Sequence, residues 1–187
     1  MTKTQIDPGQ APFPKPIVLV GSLVNGRPNF FTVAWISRIN FKPNLWAISM
    51  GRKKYTLEGI RHNQTFSVNI PGAGLVEKTD YCGIYSGRKV DKSTLFNVFY
   101  GELETAPMIQ ECPICIECTL YGIIELPNIM QVIGEVKHIY SEEKYLTDGA
   151  IDHRKVNPFV FTRPDDNYWT LGETIGRAWE VGKELKN

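Results

Sequence analysis

The sequence predicts a mainly β domain with short helices, closed as an antiparallel Greek-key barrel. Short runs rich in β-branched and aromatic residues recur along its 187 residues, and the helical stretches between them are brief. A strong hairpin signal, Asn25-Gly26, directly follows the first run. Alternation of strands with long helices, the mark of a parallel sheet, is not seen.

The first sixteen residues carry Pro8, Pro12, Pro14 and Pro16, which fits an extended segment over 1–16. Residues 17–24 (IVLVGSLV) read as a buried strand. After Asn25-Gly26 the chain returns over 29–37 (NFFTVAWIS), and 44–50 (NLWAISM) is a third strand. Beyond Gly51 the character changes. Tyr55, Leu57 and Ile60 take helical spacing within 53–62, although Gly59 lies inside that stretch. Residues 65–70 resume a strand that stops at Pro71-Gly72. Residues 73–85 suit a short helix and 86–91 a polar loop. Two longer strands, 114–126 and 130–140, flank Pro127-Asn128. A short strand is expected at 160–162 and a helix over about 174–186. With no internal repeat, residues 1–187 are expected to form a single domain.

Bulk properties exclude several classes. Lys plus Arg (21) nearly cancels Asp plus Glu (20), leaving a net charge of +1. That balance argues against a general nucleic-acid or anionic-membrane surface, so an anion site must be local. The segment MTKTQIDPGQAPFPKP lacks the apolar stretch of a secretory signal, and the apolar runs are too short to span a bilayer. The expected location is the cytoplasm, where Cys82, Cys112, Cys115 and Cys118 stay as thiols.

One stretch has the makings of an anion site. In Ser49-Met50-Gly51-Arg52-Lys53-Lys54-Tyr55-Thr56 a strand ends, Gly51 permits a tight turn and a helix starts near Lys53 or Lys54. Helix N-termini present unpaired N–H groups and partial positive charge, which suit phosphate. The basic side chains add charge, and Ser49 and Thr56 add hydroxyls. A solvated basic turn capped by Thr56 accounts for the same spacing.

The order of several short motifs resembles the flavin reductase-like family. These are Pro12-Phe13-Pro14, Asn29-Phe30-Phe31-Thr32-Val33-Ala34-Trp35, Ser49 through Tyr55-Thr56, and Phe66-Ser67-Val68-Asn69-Ile70-Pro71. Downstream, Asp80 to Gly83, Ser86-Gly87-Arg88, Asp91-Lys92 and Tyr168-Trp169-x-Leu171-Gly172 resemble its flavoredoxin branch. The similarity covers roughly residues 11–183. It implies an FMN-binding split β-barrel, a homodimer with FMN near the subunit interface, FMN in preference to FAD, and NAD(P)H or a redox-protein partner as electron donor. On this resemblance the phosphate falls to Ser49, Met50, Gly51, Lys53, Lys54, Tyr55 and Thr56. Asn29 and the backbone around Thr32, Val33, Ala34 and Trp35 wall the isoalloxazine. Cys82, Gly83, Ser86, Gly87 and Lys92 complete the cofactor contacts, with Lys92 beside the phosphate or the electron-rich ring edge. Read as residues alone, 86–92 is equally a solvated loop, and 29–35 an ordinary strand burying Phe31, Val33 and Trp35.

Other signals are weaker. Cys112-x2-Cys115-x2-Cys118 matches the front of a bacterial ferredoxin run, but the fourth cysteine and its proline are missing. As a strand it places Cys112 and Cys118 on one face and Cys115 on the other, so the expectation is buried structural thiols and no metal. His62, His138 and His153 show no metal spacing. There is no P-loop, no G-x-G-x-x-G and no Ser–His–Asp context. No catalytic side chain is therefore expected, because a flavin accepts electrons itself while the protein positions donor and acceptor. The rival readings are a non-enzymatic electron carrier, and a barrel binding protein or RNA through 52–54 and 88–92.

Overall fold

A computed structural model describes residues 2–185. Along the chain run Lys15–Pro16 (β1), Val18–Val24 (β2), Arg27–Val33 (β3), Ile36–Asn40 (β4), Leu45–Gly51 (β5), Tyr55–Asn63 (α1), Thr65–Ile70 (β6), Val76–Ile84 (α2), Val98–Phe99 (β7) and Met108–Ile109 (β8). Then follow Ile114–Glu125 (β9), Ile129–Ser141 (β10), Leu146–Thr147 (β11), Ala150–Ile151 (β12), His153–Val156 (α3), Phe159–Phe161 (β13) and Tyr168–Thr170 (β14).

The main sheet is antiparallel, in the order β3-β2-β6-β9-β10-β5-β4. Consecutive strands β3 and β4 therefore lie at opposite edges, and the sheet curls between them. Inside it pack Val20, Val33, Ile48, Phe66, Val68, Ile116 and Val132. On the outer face Leu19, Phe30, Cys82, Met108 and Ile109 form a second cluster. Strand alternation sends Val18 and Val20 one way and Leu19 the other. All three are buried, because both faces of β2 are covered. A smaller sheet, β1-β13-β14, ties the N-terminal segment to the C-terminal third. The β2–β3 hairpin turns on Asn25 and Gly26, both with positive φ (51° and 75°), as a two-residue turn requires.

Three expectations are corrected. The stretch 29–37 is not one strand. β3 ends where Val33 meets Val18, the first residue of its partner; Ala34 and Trp35 then cross to the other edge, and pairing resumes at Ile36 opposite Ile48. The helix expected over 174–186 is reduced to a 3-10 turn, Val181–Leu185, with Lys186 outside the described residues. A short helix with no apolar face packed on the body has little to hold it. Cys112 does not share the inward strand face with Cys118. Pro113 delays the strand to Ile114, so Cys112 sits in the preceding turn and packs with Cys115 in the outer cluster, while Cys118 faces the barrel interior. Among the described residues no helix is long and apolar enough to cross a membrane.

Candidate functional site

A cleft of about 110 Å³ opens where the start of α1, the end of α2 and β3 converge. Asn29, Lys54, Tyr55, Thr56, Gly83, Ser86, Gly87 and Lys92 all line it, and among the described residues no carboxylate does. Lys54 caps α1 in extended backbone with no side-chain cap bond, so Thr56 is not the cap. Among the described residues the amides of Tyr55 and Thr56 donate to no acceptor, leaving free N–H groups at the positive end of the helix. The Thr56 hydroxyl accepts from Asn29 Nδ2 at 2.8 Å and fixes the helix start against β3. Gly87 is where the loop closes on Asn29: a Cβ there would fall 1.9 Å from Asn29 Oδ1. Ser86 Oγ accepts from the Arg88 amide at 3.3 Å. The Arg88 guanidinium lies 4.8 Å over the Tyr55 ring and pairs with Glu58.

Two lysines converge on this cleft. Lys54 Nζ sits 4.2 Å over the Phe31 ring, and burial lowers its pKa. Lys92 is only 3% exposed. Asp91 accepts from the Ser93 amide (2.9 Å) and hydroxyl (2.6 Å), a turn that leaves Lys92 facing inward. Lys92 Nζ then donates to Phe30 O at 3.0 Å and Cys82 O at 2.8 Å. The lysine expected to reach out to a ligand is thus a fixed cation that ties α2 to β3. Burial lowers its pKa; the nearby Cys82 acts upward and Lys54 downward.

A second, larger cleft of about 640 Å³ takes in Ala34, Trp35 and Ser49 together with Phe13, Lys15 and Gln131. Trp35 is 53% exposed, not buried in a strand face, and Lys15 Nζ lies 5.5 Å over its ring. Thr32, an expected site residue, lines neither cleft. Its hydroxyl donates to Thr79 O, and Gly83 packs on its Cβ. The structure does not bring every expected residue to the site. The side chains of Val33 and Met50 belong to the barrel core, and Lys53 is exposed and lines neither cleft. Gly51 leaves room beside Lys54, while Arg52 pairs with Glu125 at 2.9 Å. Phe31 was missed as a cleft residue, although strand alternation from Asn29 marks it. Two motifs set 88 residues apart also meet: Tyr168 Oη donates to Asp80 Oδ1 at 2.8 Å, joining β14 to α2.

The four thiols are buried. Burial raises Cys82 to about 11, with Lys92 pulling it back, and raises Cys115 and Cys118 to about 12. Cys112 also stands well above the ordinary 9.0. Among the described residues no group of His, Cys, Asp or Glu could hold a metal ion. A maleimide probe at pH 8 should label none of the four thiols in native protein and all of them after denaturation. At Cys82, Cys115 and Cys118 the unfolded chain releases the thiol proton near pH 9.0, while the folded chain holds it to about 11 or 12. Stability contributed by the neutral thiols is therefore complete below pH 9.0 and declines as pH rises through that window.

The family model for the flavin reductase like domain matches residues 10–159. The fold is similar to that of flavoredoxin from Methanosarcina acetivorans (TM-score 0.96, 45% identity, covering 99% of this chain and 100% of that one). It is also similar to flavoredoxin of Desulfovibrio vulgaris (TM-score 0.90, 34% identity, 98% and 100% covered). An uncharacterised Aeropyrum pernix protein is 27% identical over 132 residues, which span 68% of this chain and 50% of that protein.

Proposed function

This chain belongs to the flavin reductase-like family, and from that premise we propose that it is an FMN-binding flavoprotein oxidoreductase that passes electrons from NAD(P)H to a flavin or protein acceptor. One observation supports this most. Lys54 and Lys92 face a cleft without carboxylates, beside the free amides of Tyr55 and Thr56. Two partly desolvated cations near one another favour a bound dianion, and a phosphomonoester supplies one. Its small volume fits the phosphate end of FMN, with the ring lying along Thr32, Ala34 and Trp35 toward the larger cleft.

The bound flavin would supply the electron-accepting ring. The protein's own residues do the rest. Amides at the α1 start and Lys54 hold the phosphate, the β3 backbone orients the ring, and Trp35 with Phe13 limits water on one side. Buried Lys92 provides fixed positive charge that favours an anionic reduced flavin. We place the reaction in the cytoplasm, where the four free thiols persist.

Titration with FMN, followed by quenching of flavin fluorescence, tests the reading. The wild-type chain should bind at micromolar concentration or below. Lys54→Glu should weaken binding by about 100-fold, since it removes a charge-assisted hydrogen bond and adds repulsion. A chain that takes up no FMN, or a variant that binds it equally well, overturns the assignment.

The similarity to two flavoredoxins favours a second reading, a carrier that exchanges electrons with a redox protein and has no nicotinamide turnover. Steady-state oxidation of NADH and NADPH separates the two. Turnover supports the enzyme; reversible reduction by a ferredoxin-type donor alone supports the carrier.

A further inference from the structure

The strands of the main sheet curl round a filled interior, but the filling runs out at one end. β2 begins at Val18, β6 ends at Ile70 and β9 begins at Ile114, with Ile70 directly opposite Ile114. Val18 and Ile114 belong to the inner cluster, and Ile70 packs against it. Beyond them lies a cavity of about 390 Å³, walled by these three residues and by Ile36, Trp46 and Phe159. α3 stands at its rim. Val156 is buried there, and the Asp152 carboxylate fixes the helix start by accepting from the Arg154 amide at 2.9 Å. Mouths of β-barrels are frequent ligand sites, and this volume lies in the usual range for a small molecule.

Two features give the mouth a chemical preference. Trp46 Nε1 is buried and donates to nothing among the described residues. A buried N–H without an acceptor is unfavourable and rare, so an oxygen supplied from outside would be held there. Arg38 lies directly opposite Trp46 across β4 and β5, so both side chains leave the sheet on one face. The Arg38 guanidinium rests 4.6 Å over the Phe41 ring and forms no ion pair among the described residues. Arg38 and His153 line the cavity, and among the described residues no carboxylate does.

We propose that this barrel mouth binds a small apolar carboxylate, its hydrocarbon part among Val18, Ile70 and Ile114 and its oxygens accepting from Arg38 and Trp46 Nε1. A carboxylate brings the acceptors that both donors lack, and a guanidinium prefers it to a neutral oxygen. The walls select the rest of the molecule. Burying hydrocarbon against them removes it from water and strands no polar group, whereas a second charge inside would have no partner. The site is distinct from the phosphate cleft, with which it shares no lining residue. Pro16, Ile36 and Ser37 line both the mouth and the 640 Å³ cleft, so a bound acid would touch three residues that also border the seat proposed for the flavin ring. The inference does not rest on the flavin reading, and FMN has no part in its test.

Calorimetric titration of the full, flavin-free chain with octanoate and with 1-octanol tests the site. Octanoate should bind with a Kd below about 1 mM, and the alcohol at least about 10-fold more weakly. Arg38 is exposed, so Arg38→Met should keep the fold, as circular dichroism can verify. It should weaken octanoate about 10-fold and leave 1-octanol unchanged. Trp46→Phe keeps a ring but loses the Nε1–H, and should weaken octanoate about 5-fold. The indole N–H proton resonance of Trp46, assigned through its loss in that variant, should move as octanoate is added. No octanoate binding at millimolar concentration, equal affinity for acid and alcohol, or an Arg38→Met chain that binds octanoate as tightly as wild type overturns the proposal. A saturated complex in which the Trp46 resonance has not moved places the acid elsewhere and overturns it as well.

Discussion

Lys92→Met should destabilise the protein by about 3 kcal/mol and lower Tm by about 10 °C. The substitution is close in length and keeps the stem, but it removes the ammonium that donates both bonds. Phe30 O and Cys82 O then lose bonds of 3.0 and 2.8 Å. A carbonyl left buried without a partner costs more than the net gain from forming the bond, because it also forfeits water. Lys92→Gln separates this structural effect from charge. An amide still offers N–H donors, so much of the stability should remain, while the fixed positive charge is gone. On the proposed flavin chemistry, Lys92→Gln should lower the midpoint potential of bound FMN, since an anionic reduced ring loses a favourable neighbour. Thermal melts and a spectroscopic redox titration read the two effects independently. Equal melting of wild type and Lys92→Met would refute the tie between α2 and β3.

Gly59→Ala should be comparably damaging, and for a reason opposed to helix propensity. Alanine is favoured over glycine in a helix interior by about 1 kcal/mol. Here the added Cβ would fall 2.2 Å from Leu23 O and 2.4 Å from Ser22 Oγ. Backbone oxygen in a paired strand cannot step aside, so α1 must lift from β2, and overpacking of this kind costs about 3 kcal/mol. A net loss near 2 kcal/mol should show as a lower urea midpoint with an unchanged slope. Because α1 begins at the anion seat, FMN affinity should fall with it. Gly74→Ala is the control: nothing lies within 4 Å of its Cβ, so its stability should hardly move. If Gly59→Ala proves neutral, the close approach of α1 to β2 is wrong.

These two positions also mark how far the sequence could be read. The hairpin at Asn25-Gly26, the strand at Thr65–Ile70, the paired strands β9 and β10, and the helix after Gly51 follow from local patterns, and the structure has them close to their expected bounds. Gly59 looked like a flaw in that helix because its reason lies on β2, thirty-six residues before it at Leu23. The crossing at Ala34–Trp35 left no local trace. Neither residue is Gly or Pro, and β-formers continue on both sides; only the end of β2 decides where pairing stops. Lys92 read as part of a polar loop, since its acceptors, Phe30 O and Cys82 O, belong to distant elements. For the anion seat, residue types and helix start were legible at Lys54, Tyr55 and Thr56. The burial of Val33 was legible in the alternation of its strand, whereas the burial of the Met50 side chain and the exposure of Lys53 depended on how the sheet curls.

The placement of β3 and β4 at opposite ends of the strand order bears on how a flat, ring-sized guest gains admission. Among the described residues those two edges share no ladder of amide bonds, and the short Ala34–Trp35 crossing links them. Such a seam can breathe by sliding of rims, whereas a pocket cut through a continuous sheet would have to rupture paired backbone first.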